Sequence, residues 1–233
     1  MASETDREGR IPFTPGERLV FQVRWGFIRA GEAVLEVMPW QSFEGKKVFH
    51  FVMTARTTEF IDLFYKVRDR IESYTDWGMN RALLYKKQCQ GKSKHDVLVT
   101  FDWAKNKAQY SDFGEKRDPI SLFPGSFDPL SVFYAFRMVD LTEQKEIRTP
   151  VTDGKKCVMG RARIIRRERI RVPYGDMDTF LVEPDLEHIG GVFRKSKDAK
   201  LRIWVTEQKE HIPVRIESKV LVGSFVAELV SLH

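Results

Sequence analysis

Leu19, Phe21, Val23, Trp25 and Phe27 alternate with Val20, Gln22, Arg24 and Gly26. This two-residue period predicts a strand with one strongly apolar face. Ala33, Leu35 and Val37 repeat the pattern, and the Gly-containing stretch Ile28-Arg29-Ala30-Gly31-Glu32 between the runs predicts a hairpin connection. A turn follows at Phe43-Glu44-Gly45-Lys46, then a strand at 48–54 rich in β-branched and aromatic residues. Residues 57–64 break the alternation, and a Thr cap followed by apolar residues at helical spacing predicts a short helical turn. Alternation returns at 65–75, 82–90, 96–103 and 109–113, a meander. One helix is expected at 128–139: Asp128 suits the N-cap, Pro129 the first turn, and Leu130, Phe133, Tyr134 and Arg137 recur at helical spacing. The apolar loop 120–127 ahead of it is expected to pass over the mouth or floor of a sheet. Further strands are predicted at 158–172, 177–183, 200–206, 214–222 and 224–232.

The two strand-rich halves resemble one another. Tyr74-Thr75-Asp76 aligns with Val205-Thr206-Glu207, and without a gap Arg81–Tyr85 falls beside Ile212–Ile216 and Val97–Thr100 beside Glu228–Ser231. Upstream, Phe60–Lys66 resembles His188–Arg194. Either the halves, about 16–101 and 154–232, are a duplication, or they share only the generic alternation of antiparallel hairpins. The expected fold is mostly β: a strongly curved antiparallel sheet or open β-barrel with one connecting helix. Residues 1–10 are expected as a disordered tail and 11–233 as a single β-rich domain.

Charge changes this picture little. The chain of 233 residues carries Lys+Arg 39 against Asp+Glu 33, a formal net charge of +6. Its densest basic cluster, Arg161 to Arg171, has a strand's parity: Arg163, Arg167, Arg169 and Arg171 on one face, Ala162, Ile164 and Ile170 on the other. That describes a solvated strand face, and with no interleaved aromatics or known nucleic-acid motif, nucleic acid is not an expected partner. No apolar run reaches the roughly 18 residues of a membrane-spanning helix. The polar N-terminus has no signal-peptide pattern, so the protein is expected to be cytoplasmic or to have lost a leader. Cys89 and Cys157 are read as free thiols packed as small hydrophobes.

The five histidines are scattered, and no metal site, cofactor or catalytic residue is expected. Gly91-Lys92-Ser93 lacks the upstream glycine of a phosphate loop. Cys89 and His95 lie close in sequence without an orienting third group. Asp69, Glu72 and Asp76 with Arg68 and Arg70 form a charged strand segment, most simply cross-strand ion pairs. Paired carboxylates of a glycan hydrolase remain open on sequence alone. The salient feature is aromatic: 17 Phe, 5 Trp and 6 Tyr, several in non-strand segments. Most belong to the core, yet a curved sheet lined and covered by such residues suits an apolar ligand. Trp25, Phe27, Phe60, Phe64, Phe123, Phe127 and Phe133 are the candidate lining. Arg68 and Arg70 either meet an anionic head group at its rim or pair with acidic neighbours.

Specific words then emerge from the pattern. Pro15-Gly16-Glu17-Arg18-Leu19, Val23-Arg24-Trp25-Gly26, Ala30-Gly31-Glu32-Ala33, Phe64–Arg70, Asp128-Pro129-Leu130-Ser131, Thr179–Pro184 and Ile212–Ile216 together resemble the bacterial domain-of-unknown-function family 3108. The resemblance covers nearly all of the chain beyond residue 11. It implies an exported protein of the Gram-negative periplasm or envelope with a largely antiparallel β architecture, and carries no catalytic residues across. The leading expectation is a non-enzymatic envelope protein that binds a lipid or other apolar ligand. The alternative is an interaction module for an envelope protein or polysaccharide.

Overall fold

The computed structural model describes residues 11–91, 94–185, 200–220 and 223–233. The expected tail at 1–10, the Lys92-Ser93 pair and the His188–Arg194 part of the repeat lie outside these residues. The first half holds β1 (Arg18–Trp25), β2 (Ile28–Val37), β3 (Gln41–Phe43), β4 (Lys46–Thr57), α1 (Glu59–Asp62), β5 (Val67–Asp76), β6 (Ala82–Gly91), β7 (His95–Asp102), β8 (Lys107–Asp112), β9 (Glu115–Lys116) and β10 (Ile120–Ser121). After α2 (Ser131–Arg137) come β11 (Glu146–Thr152), β12 (Cys157–Val172), β13 (Gly175–Pro184), β14 (Lys200–Thr206), β15 (Pro213–Val220) and β16 (Gly223–Leu232).

All of these strands belong to one 16-stranded sheet ordered β10-β8-β7-β6-β5-β4-β2-β1-β16-β15-β14-β13-β12-β11, with β3 on β4 and β9 on β8. The two halves join where β1 pairs antiparallel with β16, from Leu19 opposite Leu232 to Trp25 opposite Phe225. The sheet is open, but its edges nearly meet. Ile120 and Ser121 pair with β8 at one edge, while Phe127 bridges Val151 of β11 at the other. Phe127 N–H donates to Pro150 O at 2.9 Å and Thr152 N–H to Phe127 O at 2.8 Å. The apolar segment expected over the mouth or floor of the sheet is instead the seam between its edges. Gly154, at the β11–β12 turn, packs so tightly on β7 that an added Cβ would stand 2.6 Å from Val99.

Elements differ from the sequence expectation where local chemistry competes with alternation. The β1–β2 turn is Gly26-Phe27, two residues earlier than expected, because Gly26 supplies a φ of 57° and a two-residue turn needs positive φ. In β12 a bulge between Ile164 and Arg166 shifts the parity, so Arg163, opposite Glu183, and Arg167, opposite Phe180, lie on opposite faces rather than on one, although both are exposed; Arg167, Arg169 and Arg171 meet acidic neighbours, Arg171 with Asp176 at 2.7 Å among them. Strand β11 gave no sequence signal because Pro150 interrupts it; on an edge strand its missing N–H leaves no ladder bond unmade. The helix starts at Ser131 rather than 128, although the chain already winds from Asp128, whose carbonyl accepts from Val132 N–H at 3.0 Å.

The main core gathers inward side chains of both halves, among them Leu19, Phe21, Val37, Phe51, Val99, Leu181, Trp204 and Leu229, around Tyr134 of α2. Tyr134 stacks on Phe51 with centroids 3.9 Å apart, and Phe13 stands edge-on to both. A second cluster of Leu141, Ile147, Phe180, Val182 and Val205 lies beyond the helix, with Phe136 packed against it.

Candidate functional site

Helix α2 is bolted down at both ends. At its start, the buried Asp128 carboxylate accepts from Leu130 N–H at 2.8 Å and Ser131 N–H at 3.0 Å, and also receives the hydroxyls of Ser131 and Ser73, the latter on β5. The cap expected at Asp128 is therefore present one turn before the helix proper. At its other end, Arg137 is almost fully buried and grips Glu17 with its two terminal nitrogens, at 2.6 and 2.9 Å, while its Nε donates to Glu210 O at 2.9 Å. His211 Nδ1 donates to Arg137 O at 3.1 Å, a direction the carbonyl acceptor dictates. Leu130, Tyr134 and Arg137, spaced by four and three, thus face the first half of the sheet.

The other face of the helix, Val132, Phe133 and Phe136, meets the second half across a cleft of about 330 Å³. The opposite walls are Ile147 and Val151 of β11, Val158 and Ala162 of β12, Val182 of β13, and Leu201, Ile203 and Val205 of β14. The lining is mostly aliphatic and aromatic, with Arg137, Thr149, Asp153, Arg161 and Asp185 as its polar groups. Its size and composition are those of small-molecule sites, which run from about 300 to 1,000 Å³ with a few placed polar groups. A wider surface groove of about 1190 Å³ runs past Trp77, Phe101 and Trp103, but its rings are already covered. Phe49 stacks on Trp77 at 4.4 Å, the Lys47 ammonium stands 3.9 Å from the Trp77 ring, and the Arg81 guanidinium lies 5.1 Å from Trp103.

Of the residues singled out from sequence, Phe133 alone lines the cleft. Phe127 is buried in the seam, and Phe123 is half exposed beside it, its N–H pointing at Cys157 Sγ at 3.5 Å. Trp25 and Phe27 stand at the β1–β2 turn, Trp25 stacked on Phe225 at 6.2 Å and Phe27 fully exposed. Phe60 and Phe64 project into solvent from the α1 crossover, edge to face at 5.7 Å. Arg68 is committed to that crossover: it pairs with Asp62 and donates to Thr57 O and Thr57 Oγ1. Arg70 pairs with Glu72 at 2.8 Å. The candidates therefore divide into one cleft residue, two seam residues and a group at one end of the sheet. The aliphatic walls carried no separate signal, since Ile147, Val182 and Ile203 look like any inward strand position.

The perturbed groups lie away from the cleft. Burial pushes the Cys89 thiol up to about 11, which leaves it an unreactive neutral group even though β6–β7 pairing sets it opposite His95. His95 itself bonds Asp112 at 2.7 Å. His50 bonds Glu72 at 2.7 Å, yet burial outweighs that partner and holds the imidazole below its ordinary value. Both cysteines are free, as expected. Among the described residues no group of three His, Cys, Asp or Glu is placed to hold a metal, and no helix is long and apolar enough to cross a membrane.

Among solved structures, a β-barrel-like protein of domain of unknown function DUF1849 from Brucella abortus shares the architecture. It has a TM-score of 0.55 at 11% identity, with 93% of this chain and 96% of that one covered. At that identity the likeness speaks for the fold alone. A candidate exported protein with a YmcC-like fold from Bacteroides fragilis aligns with a TM-score of 0.41 at 8% identity, over 96% of this chain and 98% of that one. A candidate lipoprotein from Parabacteroides distasonis aligns with a TM-score of 0.36 at 12% identity, over 96% and 98%. Likenesses this distant carry no argument about this chain. No curated protein matches it. The family model described as "Protein of unknown function (DUF3108)" matches residues 20–230, nearly the whole sheet and its helix, so the chain belongs to that family.

Proposed function

We propose that this protein binds an apolar ligand, such as a lipid acyl chain, in the cleft between α2 and strands β11 to β14, and releases it unchanged. The observation that supports this reading is the cleft's lining: Val132, Phe133 and Phe136 on one wall face Ile147, Val182 and Ile203 on the other. Each methylene moved from water into such a site gains about 0.8 kcal/mol. The polar groups Arg161, Asp153 and Asp185 give a head group somewhere to be solvated or paired. In this reading the protein works in the periplasm or elsewhere in the envelope, as the family resemblance implies.

The test is a titration with a fluorescent fatty acid. Ala162→Phe places a ring in the cleft from its β12 wall and is expected to weaken binding at least tenfold, with Ile203→Trp as an independent filling variant. Both should retain the β-sheet circular dichroism and the melting midpoint of the parent. Undiminished binding in both variants would remove the cleft from the account. A chain-length series adds a quantitative check: two methylenes are worth about 1.6 kcal/mol, so each pair should change Kd about fifteenfold until the cleft is full.

A further inference from the structure

We propose that the end of the sheet carrying the β1–β2 turn and the α1 crossover is a docking surface for an anionic lipid bilayer. The inference goes beyond the ligand reading and stands without it. Phe27 at the turn tip, with Phe60, Leu63 and Phe64 on the crossover, are large apolar side chains left exposed to water. They are neighbours by backbone geometry: Gly31 of β2 pairs with Thr57 of β4, and Thr58 N–H donates to Ala30 O at 2.9 Å, which sets the crossover beside the turn.

The crossover is also held in place. An added Cβ at Gly31 would stand 2.2 Å from Arg56 O, and one at Gly91 would stand 2.1 Å from Lys66 O, so glycines on both sides let the neighbouring strands close on its two roots. Thr57 Oγ1 accepts from Val67 N–H at 2.9 Å and donates to Asp62 at 2.5 Å, and Arg68 clamps the same carboxylate. The Thr57 hydroxyl first, and then the Arg68 guanidinium, hold the Asp62 carboxyl below its ordinary range against the opposing effect of burial. The network fixes a projecting tip rather than a collapsed loop, and it uses up the negative charge of Asp62 at its base.

Convex apolar tips on separate loops match the interface of a bilayer, where aromatic rings sit at head-group level, better than a groove-filling partner. The flanking charge agrees. Arg29 and Lys66 are exposed next to the tips, Lys94 is exposed by the neighbouring β6–β7 turn, and Glu59 is the one acidic side chain on the crossover outside the Arg68 clamp. The chain as a whole carries +6. A cationic collar around an apolar tip is attracted to anionic lipid within a Debye length and held by the inserted rings. Strand directions put Asp153, Asp185 and Leu201 of the cleft at this same end of the sheet, where a molecule leaving the bilayer would reach them.

The experiment is co-sedimentation of the purified full chain with vesicles of phosphatidylglycerol and phosphatidylethanolamine, against vesicles of phosphatidylcholine alone. Binding to the anionic vesicles is expected, weakened by raised salt, and reduced at least tenfold by Phe60→Ser with Phe64→Ser, and separately by Phe27→Ser. Since each replaced ring is already in water, the melting midpoint should not move. Fatty-acid titration of the same variants in the absence of vesicles should be unchanged, which separates this inference from the cleft. A parent protein that stays in the supernatant with every vesicle overturns the proposal. So does equal sedimentation of the Ser variants, or a tip-dependent dimer in sedimentation velocity without lipid.

Discussion

Replacing Arg137 by Met tests whether one buried ion pair holds the helix over the core and beside the cleft. In the parent, the guanidinium makes two bonds to Glu17, at 2.6 and 2.9 Å, and one to Glu210 O, and it packs 5.3 Å from the Phe13 ring centre. Methionine keeps the apolar stem but leaves the Glu17 carboxylate, whose side chain is 10% exposed, without its cation. Breaking one partner of such a pair costs about 3–5 kcal/mol, chiefly the desolvated charge left behind. For a domain of this size 1 kcal/mol moves the midpoint by about 2–4 °C, so the expected loss is about 6–20 °C. Glu17→Leu should cost a similar amount. The double variant, with apolar groups on both sides, should lose far less than the sum, leaving an interaction energy of about 1.5–3 kcal/mol in the cycle. Calorimetry and urea titration of the four proteins measure it. Single variants that each cost under about 1 kcal/mol and add without interaction would refute the latch, and with it the reason α2 keeps its Phe133 face toward the cleft.

Tyr134 is fully buried and its hydroxyl has no hydrogen-bond partner among the described residues, so Tyr134→Phe should raise stability by about 1 kcal/mol or more, read as a higher midpoint. Gly31→Ala drives a methyl into the Arg56 carbonyl and should cost about 1–3 kcal/mol by strain, measurable in urea; an unchanged midpoint would contradict the close approach of the crossover. Acid should destabilise the protein in two stages. Burial holds His50 and His211 below the ordinary imidazole value of 6.5, so the folded state binds fewer protons than the unfolded one, and stability present above about 6.5 falls as pH drops toward the folded values. Glu72, raised by burial but held low overall by its bonds to Arg70 and His50, adds a second loss below its ordinary value of 4.5. Replacing both histidines by Gln should flatten the midpoint between pH 7.5 and 5.5, and a slope that persists would assign it elsewhere.

The sheet was legible because most strands bury one face, and a period of two records that directly. The arginines from Arg163 to Arg171 are solvated as expected, but not on one face: the bulge after Ile164 resets the alternation, which parity alone does not reveal. What failed were positions where hydrophobicity has more than one destination. Phe27 continues the parity of Phe21 and Val23, yet it lies beyond Gly26, whose positive φ turns the chain, so the ring ends at a tip. Phe127, expected over the sheet, instead closes its seam, because an apolar segment beside two open edges can supply both backbone groups and a buried ring. Strand β11 was hidden by Pro150, which an edge tolerates. The cleft itself is invisible in sequence: Val182 and Ile203 obey the same alternation as Leu181's neighbours in the core, and only the tertiary placement of α2 leaves their face open. Phe133 was reachable because it is one of the aromatics in the helical segment, although its spacing alone does not separate it from Leu130, Tyr134 and Arg137.

Native mass spectrometry of the freshly purified protein, paired with mass analysis of an organic extract, asks whether the α2 cleft holds an apolar molecule. A cleft that holds such a molecule gives a stoichiometric apolar adduct on the parent chain, or uptake of one added fatty acid per chain, and loses either in Ala162→Phe. A parent protein that carries no adduct and takes up no fatty acid or phospholipid, or an adduct that persists in the filled variant, would contradict it.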